Sequence, residues 1–157
     1  MQILEIEQLF QDKETLNQVL EKLQDDIDRV DEYADMVKTN AYNNAEDIKK
    51  IMLELSGCFT NLRTVLGIAE TQKKNREIRK YNELKCEFEK TPPLDEKGKP
   101  QKFVSASTDK EASDYVAEYR RIRNIIQGYK EAVEKDISVL QSVLKDENKE
   151  YNHPQGE

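Results

Sequence analysis

The chain has 157 residues and a mass of 18.4 kDa, enough for one domain with a core of its own. Hydrophobic and charged residues each make up 36 %, Trp is absent and the mean hydropathy is −0.90, a balance that excludes membrane spans, collagen and a compact multilayer globule and favours long amphipathic helices. The net charge of −7 and pI near 5.0 exclude a domain that binds nucleic acid through its overall charge.

The opening stretch MQILEIEQLFQDKE lacks the basic and apolar regions of a secretion signal, so a cytoplasmic location is expected. From there apolar residues recur at Leu16, Leu20, Leu23, Ile27, Val30, Ala34 and Val37, alternating steps of four and three. A period of 3.5 keeps one seam on one face of a helix and predicts a partner wrapped around it. This predicts an acidic heptad helix over residues 1–43. The following KTNAYNNAED is poor in helix formers, and Asn44 with Asp47 can cap a new helix. A break near residues 39–45 and a single bent helix running through both fit, because Ala41, Ala45 and Ile48 extend the stripe.

A second seam follows at Ile48, Met52, Leu55, Phe59, Leu62, Leu66 and Ala69. Gly57 and Gly67 lie inside it, where they mark a close helix approach or a bend. Beyond Ala69 the pattern loosens, with Ile78, Tyr81, Leu84, Cys86 and Phe88 sustaining a partial face, and Pro92 and Pro93 end the helix. Residues 91–107 form the one long connection, with a turn over Asp95–Lys99 and a short strand or hairpin arm over Lys102–Ser105. Thr108 with Glu111 then reads as a capping box opening a third helix. Its stripe is Tyr115, Tyr119, Ile122, Ile126, Tyr129, Val133, Ile137, Leu140 and Leu144, and residues 151–157 are expected to be a disordered tail. The predicted fold is all-α: a long helical hairpin over 44–150, or a three-helix coiled-coil bundle with the N-terminal helix. Helices of about 45 residues would be roughly 65 Å long, and such thin seams predict an oligomer.

Charge is distributed unevenly. Residues 1–56 hold 6 basic and 14 acidic side chains, residues 57–90 hold 8 and 5, and residues 91–157 hold 11 and 13. Lys73, Lys74, Arg76, Arg79 and Lys80 crowd the second segment, and Arg120, Arg121 and Arg123 the third helix. In an antiparallel pair turning near residue 99, position 78 lies about 21 residues before the turn and position 120 about 21 after it, so the two clusters meet. Tyr81 and Tyr119 lie beside them. Cations that displace counterions and rings that stack on bases suit single-stranded nucleic acid. The same cations also suit a solvated face, or pairing with acidic helices of neighbouring chains.

Catalysis finds little support, and no enzymatic activity, cofactor or metal is expected. His153, the only histidine, is in the tail. Asp25, Asp26, Asp28, Asp31, Glu32 and Asp35 form an acidic face without the spacing of a calcium loop, and no glycine-rich phosphate loop is present. Tyr115, Tyr119 and Tyr129 at helical spacing read as core and rim. Cys58 reads as packing and Cys86 as partly exposed, both reduced.

Several segments taken together resemble the recombination mediator family of T-even-type bacteriophages, the UvsY-like proteins. They are Gln72, Lys73 and Lys74 opening a basic helical stretch, a polar insertion, Val104–Ala106, then Asp109 and Lys110 before a tyrosine-marked last helix. The likeness covers roughly residues 60–145. It implies a small, helical, homo-oligomeric protein of a phage-infected or bacterial cytoplasm. Such a protein binds single-stranded DNA through a basic helical face and helps load a RecA-like recombinase onto strands covered by single-strand-binding protein. Lys73, Lys74 and Lys80 match basic positions of that face, whereas Arg76 and Arg79 have no counterpart. This chain departs from the family in its length, its acidic N-terminal heptads and its lower pI. A scaffolding coiled-coil protein, such as one of a virus particle, is the alternative the residues leave open.

Overall fold

A computed structural model describes residues 3–152, with side chains described through residue 146. The described chain is all-helical: α1 (Ile3–Leu9), α2 (Leu16–Lys22), α3 (Gln24–Thr39), α4 (Ala45–Lys90), α5 (Ser105–Tyr115) and α6 (Ala117–Asn152). No described helix is long and apolar enough to cross a membrane. The helix predicted over 1–43 is therefore three helices. Asp12 makes the first interruption, accepting the Glu14 N–H at 3.0 Å, while the Thr15 hydroxyl donates to the carbonyls of Leu9 (2.7 Å) and Asp12 (3.0 Å). Leu23 is a one-residue hitch between α2 and α3.

The chain does break after α3. Asn40 adopts the left-handed conformation (φ 50°), with its N–H on Val37 O (3.3 Å) and the Ala41 N–H on Met36 O (2.9 Å), a Schellman ending. Asn44 then caps α4 as its sequence suggests. Its Oδ1 accepts the N–H groups of Glu46 and Asp47 at 2.9 and 3.0 Å, and the Asp47 carboxylate accepts the Asn43 N–H at 3.1 Å. The 46 residues of α4 span about 69 Å at 1.5 Å each. Past Pro92 and Pro93 the chain turns on Asp95, whose Oδ1 accepts the Lys97 and Lys99 N–H groups at 2.8 Å each, with Gly98 at φ 71° and a single bridge between Leu94 and Pro100. Residues 102–104 form no strand. Phe103 instead packs edge-on against Phe88 (5.4 Å between centroids) and Tyr81 (6.4 Å). The capping box at Thr108 does not form either. α5 starts at Ser105, and Thr108 is buried in its second turn, donating back to the Val104 carbonyl. α6 runs to Asn152, past the start of the expected tail, of which residues 153–157 lie outside the described part of the chain together with His153.

The partners fix how the helices run. Asp26 meets Asn61 and Tyr33 meets Glu54, so α3 is antiparallel to α4. Glu70 meets Arg123 and Glu77 meets Arg120, so α6 is antiparallel to α4, within a few residues of the predicted register. One hydrophobic cluster joins all of this, from Ile6 and Phe10 through Val30, Leu62 and Ile122 to Leu140. Packing between long seams thus takes place within one chain. Burial also refines the predicted seams: Val19, Ile51, Cys58, Val65 and Val116 are buried, while Leu20, Met52, Phe59 and Leu66 flank them half-buried and Tyr115 is exposed. The Cys58 thiol is pushed up to about 11 by burial, with Asp26 adding to the shift. Gly57 and Gly67 face open space, so neither marks a close approach.

Asp136 is out of keeping with this core. Its Oδ2 is buried without a hydrogen-bond partner, and burial raises its pKa against a smaller opposing pull from Lys135. A carboxyl raised in the folded state contributes stability below its unfolded pKa, about 3.9, and that contribution is lost as pH rises through the folded value. Asp136→Asn is therefore expected to be more stable than wild type at neutral pH, with the advantage shrinking as pH falls through the raised folded value and gone by about pH 4. Urea midpoints across pH check this, and equal midpoints at neutral pH would contradict it.

Candidate nucleic-acid interface

The basic cluster of α4 begins where its apolar seam ends, and the seven-residue repeat continues across the boundary. Ile48, Leu55, Leu62 and Ala69 are buried at intervals of seven, and the next such position is Arg76. Lys73 and Lys80 continue the flank of Met52, Phe59 and Leu66, and are half-buried like them. Lys74 continues the exposed row of Leu53, Thr60 and Gly67. Helical phase thus divides a block that looks uniform in the sequence.

Arg76 points into the molecule. Its guanidinium donates to the Phe10 carbonyl at 2.8 Å and to the Gln11 carbonyl, and lies 4.8 Å over the ring of Tyr119. It closes the C-terminal end of α1, whose last carbonyls have no partner within the helix. Nε is buried without a partner, as expected for a cation seated in a seam. Tyr119 beneath it is 3 % exposed, and burial raises its pKa against the pull of Arg76. The sequence reading gave Arg76 to a phosphate and Tyr119 to a stacked base. The structure buries Tyr119 and ties the half-buried Arg76 to α1, so the ring is closed to a base and the guanidinium is already engaged.

Five of the other cations also have partners within the chain. Lys73 pairs with Glu77 at 2.7 Å, and Lys80 lies 5.5 Å over the Tyr115 ring. Arg120 donates to the Ser113 carbonyl at 3.0 Å and to its hydroxyl, with Glu77 at 4.0 Å. Arg121 holds Glu118 at 2.9 Å and reaches Asn17 of α2; Arg123 holds Glu70 and Asn124 at 3.3 and 2.9 Å. Lys74 and Arg79 are exposed and make no such contact. They do not share a surface, because five residues turn a helix by about 140°. Arg79 lies beside Asn75, Ile78, Asn82 and Glu83. Tyr81 is away from Tyr119, its hydroxyl 3.2 Å from Ser105 Oγ and its ring against Phe103.

What the fold assembles from both helices is one groove of about 570 Å3 between α4 and α6, lined by Lys73, Lys74, Arg120, Arg123 and Asn124 with Glu70 and Glu77. Four cations against two carboxylates leave it net positive. The two glutamates and Asn124 were not picked out from the sequence, although Glu77 sits one position past Arg76 and must face α6 if Arg76 faces α1. Exposed pairs of this kind hold weakly, so a phosphate can take a carboxylate's place. Among the described residues no group of three or more His, Cys, Asp or Glu side chains is arranged to hold a metal ion. No protein-family model, curated protein or solved structure matches the chain.

Arg76→Ala removes the donor to α1 and the cover on Tyr119. It is expected to lower stability by about 1–3 kcal/mol, with Arg76→Lys recovering only part, because an ammonium can bridge the two carbonyls but has no flat face to lay on the Tyr119 ring. Urea unfolding followed by circular dichroism measures this; an unchanged midpoint for Arg76→Ala would show that Arg76 holds nothing.

Proposed function

We propose that the chain is an accessory protein of DNA recombination or replication that binds single-stranded DNA rather than catalysing a reaction, as its resemblance to the UvsY-like family implies. The observation that carries this reading is the net-positive groove between α4 and α6, where Lys73 and Lys74, two of the residues that carry the resemblance, meet Arg120 and Arg123. Lys80 lies one heptad beyond Lys73 on the same flank of α4, whereas Arg121 is turned to Asn17 of α2 and Arg79 lies on another face. A local patch on an acidic chain binds weakly on its own, so the reading includes association of chains as a coiled-coil bundle that multiplies the site. The acidic face of α2 and α3 contacts protein partners, a RecA-like recombinase and single-strand-binding protein, in a bacterial or phage-infected cytoplasm.

A scaffolding protein without a nucleic-acid role is the second reading. It is favoured by the internal pairing of six of the eight cations.

Fluorescence anisotropy of a labelled single-stranded oligonucleotide separates the two. Wild type is expected to bind at low salt and to weaken steeply as salt rises, because each phosphate contact releases counterions. Lys73→Ala/Lys74→Ala should weaken binding and flatten the slope of log K against log salt by roughly 1 to 2, whereas Arg79→Ala should leave both unchanged. No binding by wild type at low salt would favour the scaffold, and an equal loss in Arg79→Ala would put the interface elsewhere.

A further inference from the structure

We infer that the groove between α4 and α6 is also the docking site for the acidic outer face of α2 and α3 of a second copy of this chain. The groove presents Lys73, Lys74, Arg120 and Arg123, with Lys74 exposed and without a partner among the described residues. The occupant is written on the same sequence. Glu21, Asp25, Asp28, Glu32 and Asp35 follow one another at steps of four and three, are all exposed, and make no ion pair. Only Asp28 has a side-chain partner, the neutral Gln24 amide.

Like charges three and four apart destabilise a helix, and the stripe sets five carboxylates in succession at that spacing. α4 and α6 set Lys73 against Glu77, Lys85 against Glu89 and Lys130 against Glu134 at i,i+4. On α3 the carboxylates follow one another over about 15 Å from Asp25 to Asp35, and Arg29, the one cation of that span, pairs with Glu54 of α4. A cationic counter-surface relieves that repulsion, and in the groove cations from two helices converge.

The stripe cannot reach the groove of its own chain. On α4, Glu54 and Asn61 face α3, whereas Phe59, Glu70 and Glu77 face α6, with Lys130 lying over the Phe59 ring. At 100° per residue Glu70, Lys74 and Glu77 fall on the flank turned away from α3. Stripe and groove therefore sit on opposite sides of the molecule, and their pairing is front to back. Such a contact repeats from chain to chain, closing into a ring or extending as a chain. The inference goes beyond the single-stranded DNA reading and does not need it; where both hold, DNA and the second copy compete for Lys74.

Sedimentation velocity of the full chain over a concentration series tests this. The samples are wild type, a stripe variant (Asp25→Lys/Glu32→Lys), a groove variant (Lys74→Glu) and an equimolar mixture of the two. All three substituted side chains are exposed and bond to nothing among the described residues, and circular dichroism checks that the helices persist. Wild type should self-associate at low salt and disperse at high salt. Each variant alone should associate roughly tenfold more weakly, and the mixture should regain association because each restores the other's opposite charge. A wild type that stays at single-chain mass at low salt overturns the proposal. So does association that survives high salt and both variants, or a mixture no better than its components.

Discussion

The organisation of this protein depends on a constraint at the seam of its longest helix. Every seventh residue of α4 from Ile48 to Ala69 is apolar and buried, and the next position is filled by Arg76. A guanidinium suits such a place as no other cation does. Its flat face covers the Tyr119 ring while one of its terminal nitrogens bridges two carbonyls at the end of α1. The N-terminal helices are thereby fastened to the hairpin of α4 and α6, in addition to the burial of Ile6 and Phe10. Beyond this level no large apolar residue of α4 is fully buried, and the end of the hairpin is held by half-buried rings such as Phe88 and Phe103.

The same phase decides what the cations are free to do. Residues one apart on a helix point about 100° apart, so five basic side chains in eight positions cannot form one surface. Arg76 is taken into the seam, Lys73 and Lys80 line its edges, and Lys74 and Arg79 are left to solvent on different sides. A working surface arises only where a second helix adds to the first, in the groove shared with Arg120 and Arg123. An overall negative charge is then no obstacle to a local anion site, because the carboxylates are concentrated on the outer face of α2 and α3.

Much of the fold was legible in the sequence because it depends on local rules. The 3.5-residue spacing of α4, the cap at Asn44, the stop at Pro92 and the turn on Asp95 each depend on a few adjacent residues, and each is found. The antiparallel register was legible too, since it needs only the position of the turn. The division of residues 1–43 into three helices was not. The interruptions come from an Asx turn at Asp12 and a hitch at Leu23, neither of which disturbs the apolar pattern enough to be read. At Thr108 a motif that fits a capping box was overridden by burial. The candidate site was legible as a meeting of two basic clusters and illegible in detail. Counting charge ignored the seam, which extended by one heptad would have placed Arg76 inside and withdrawn Tyr119 from any base.

Chemical-shift mapping of isotopically labelled protein titrated with a short single-stranded oligonucleotide at low salt tests most directly the division of cations by helical phase. Shifts concentrated at Lys73, Lys74, Arg120, Arg123 and Asn124, with Arg76 and the Asn75–Asn82 side of α4 undisturbed, are the predicted result. Shifts centred on Arg79 and Asn82, or on Arg76 with Tyr119, would contradict it.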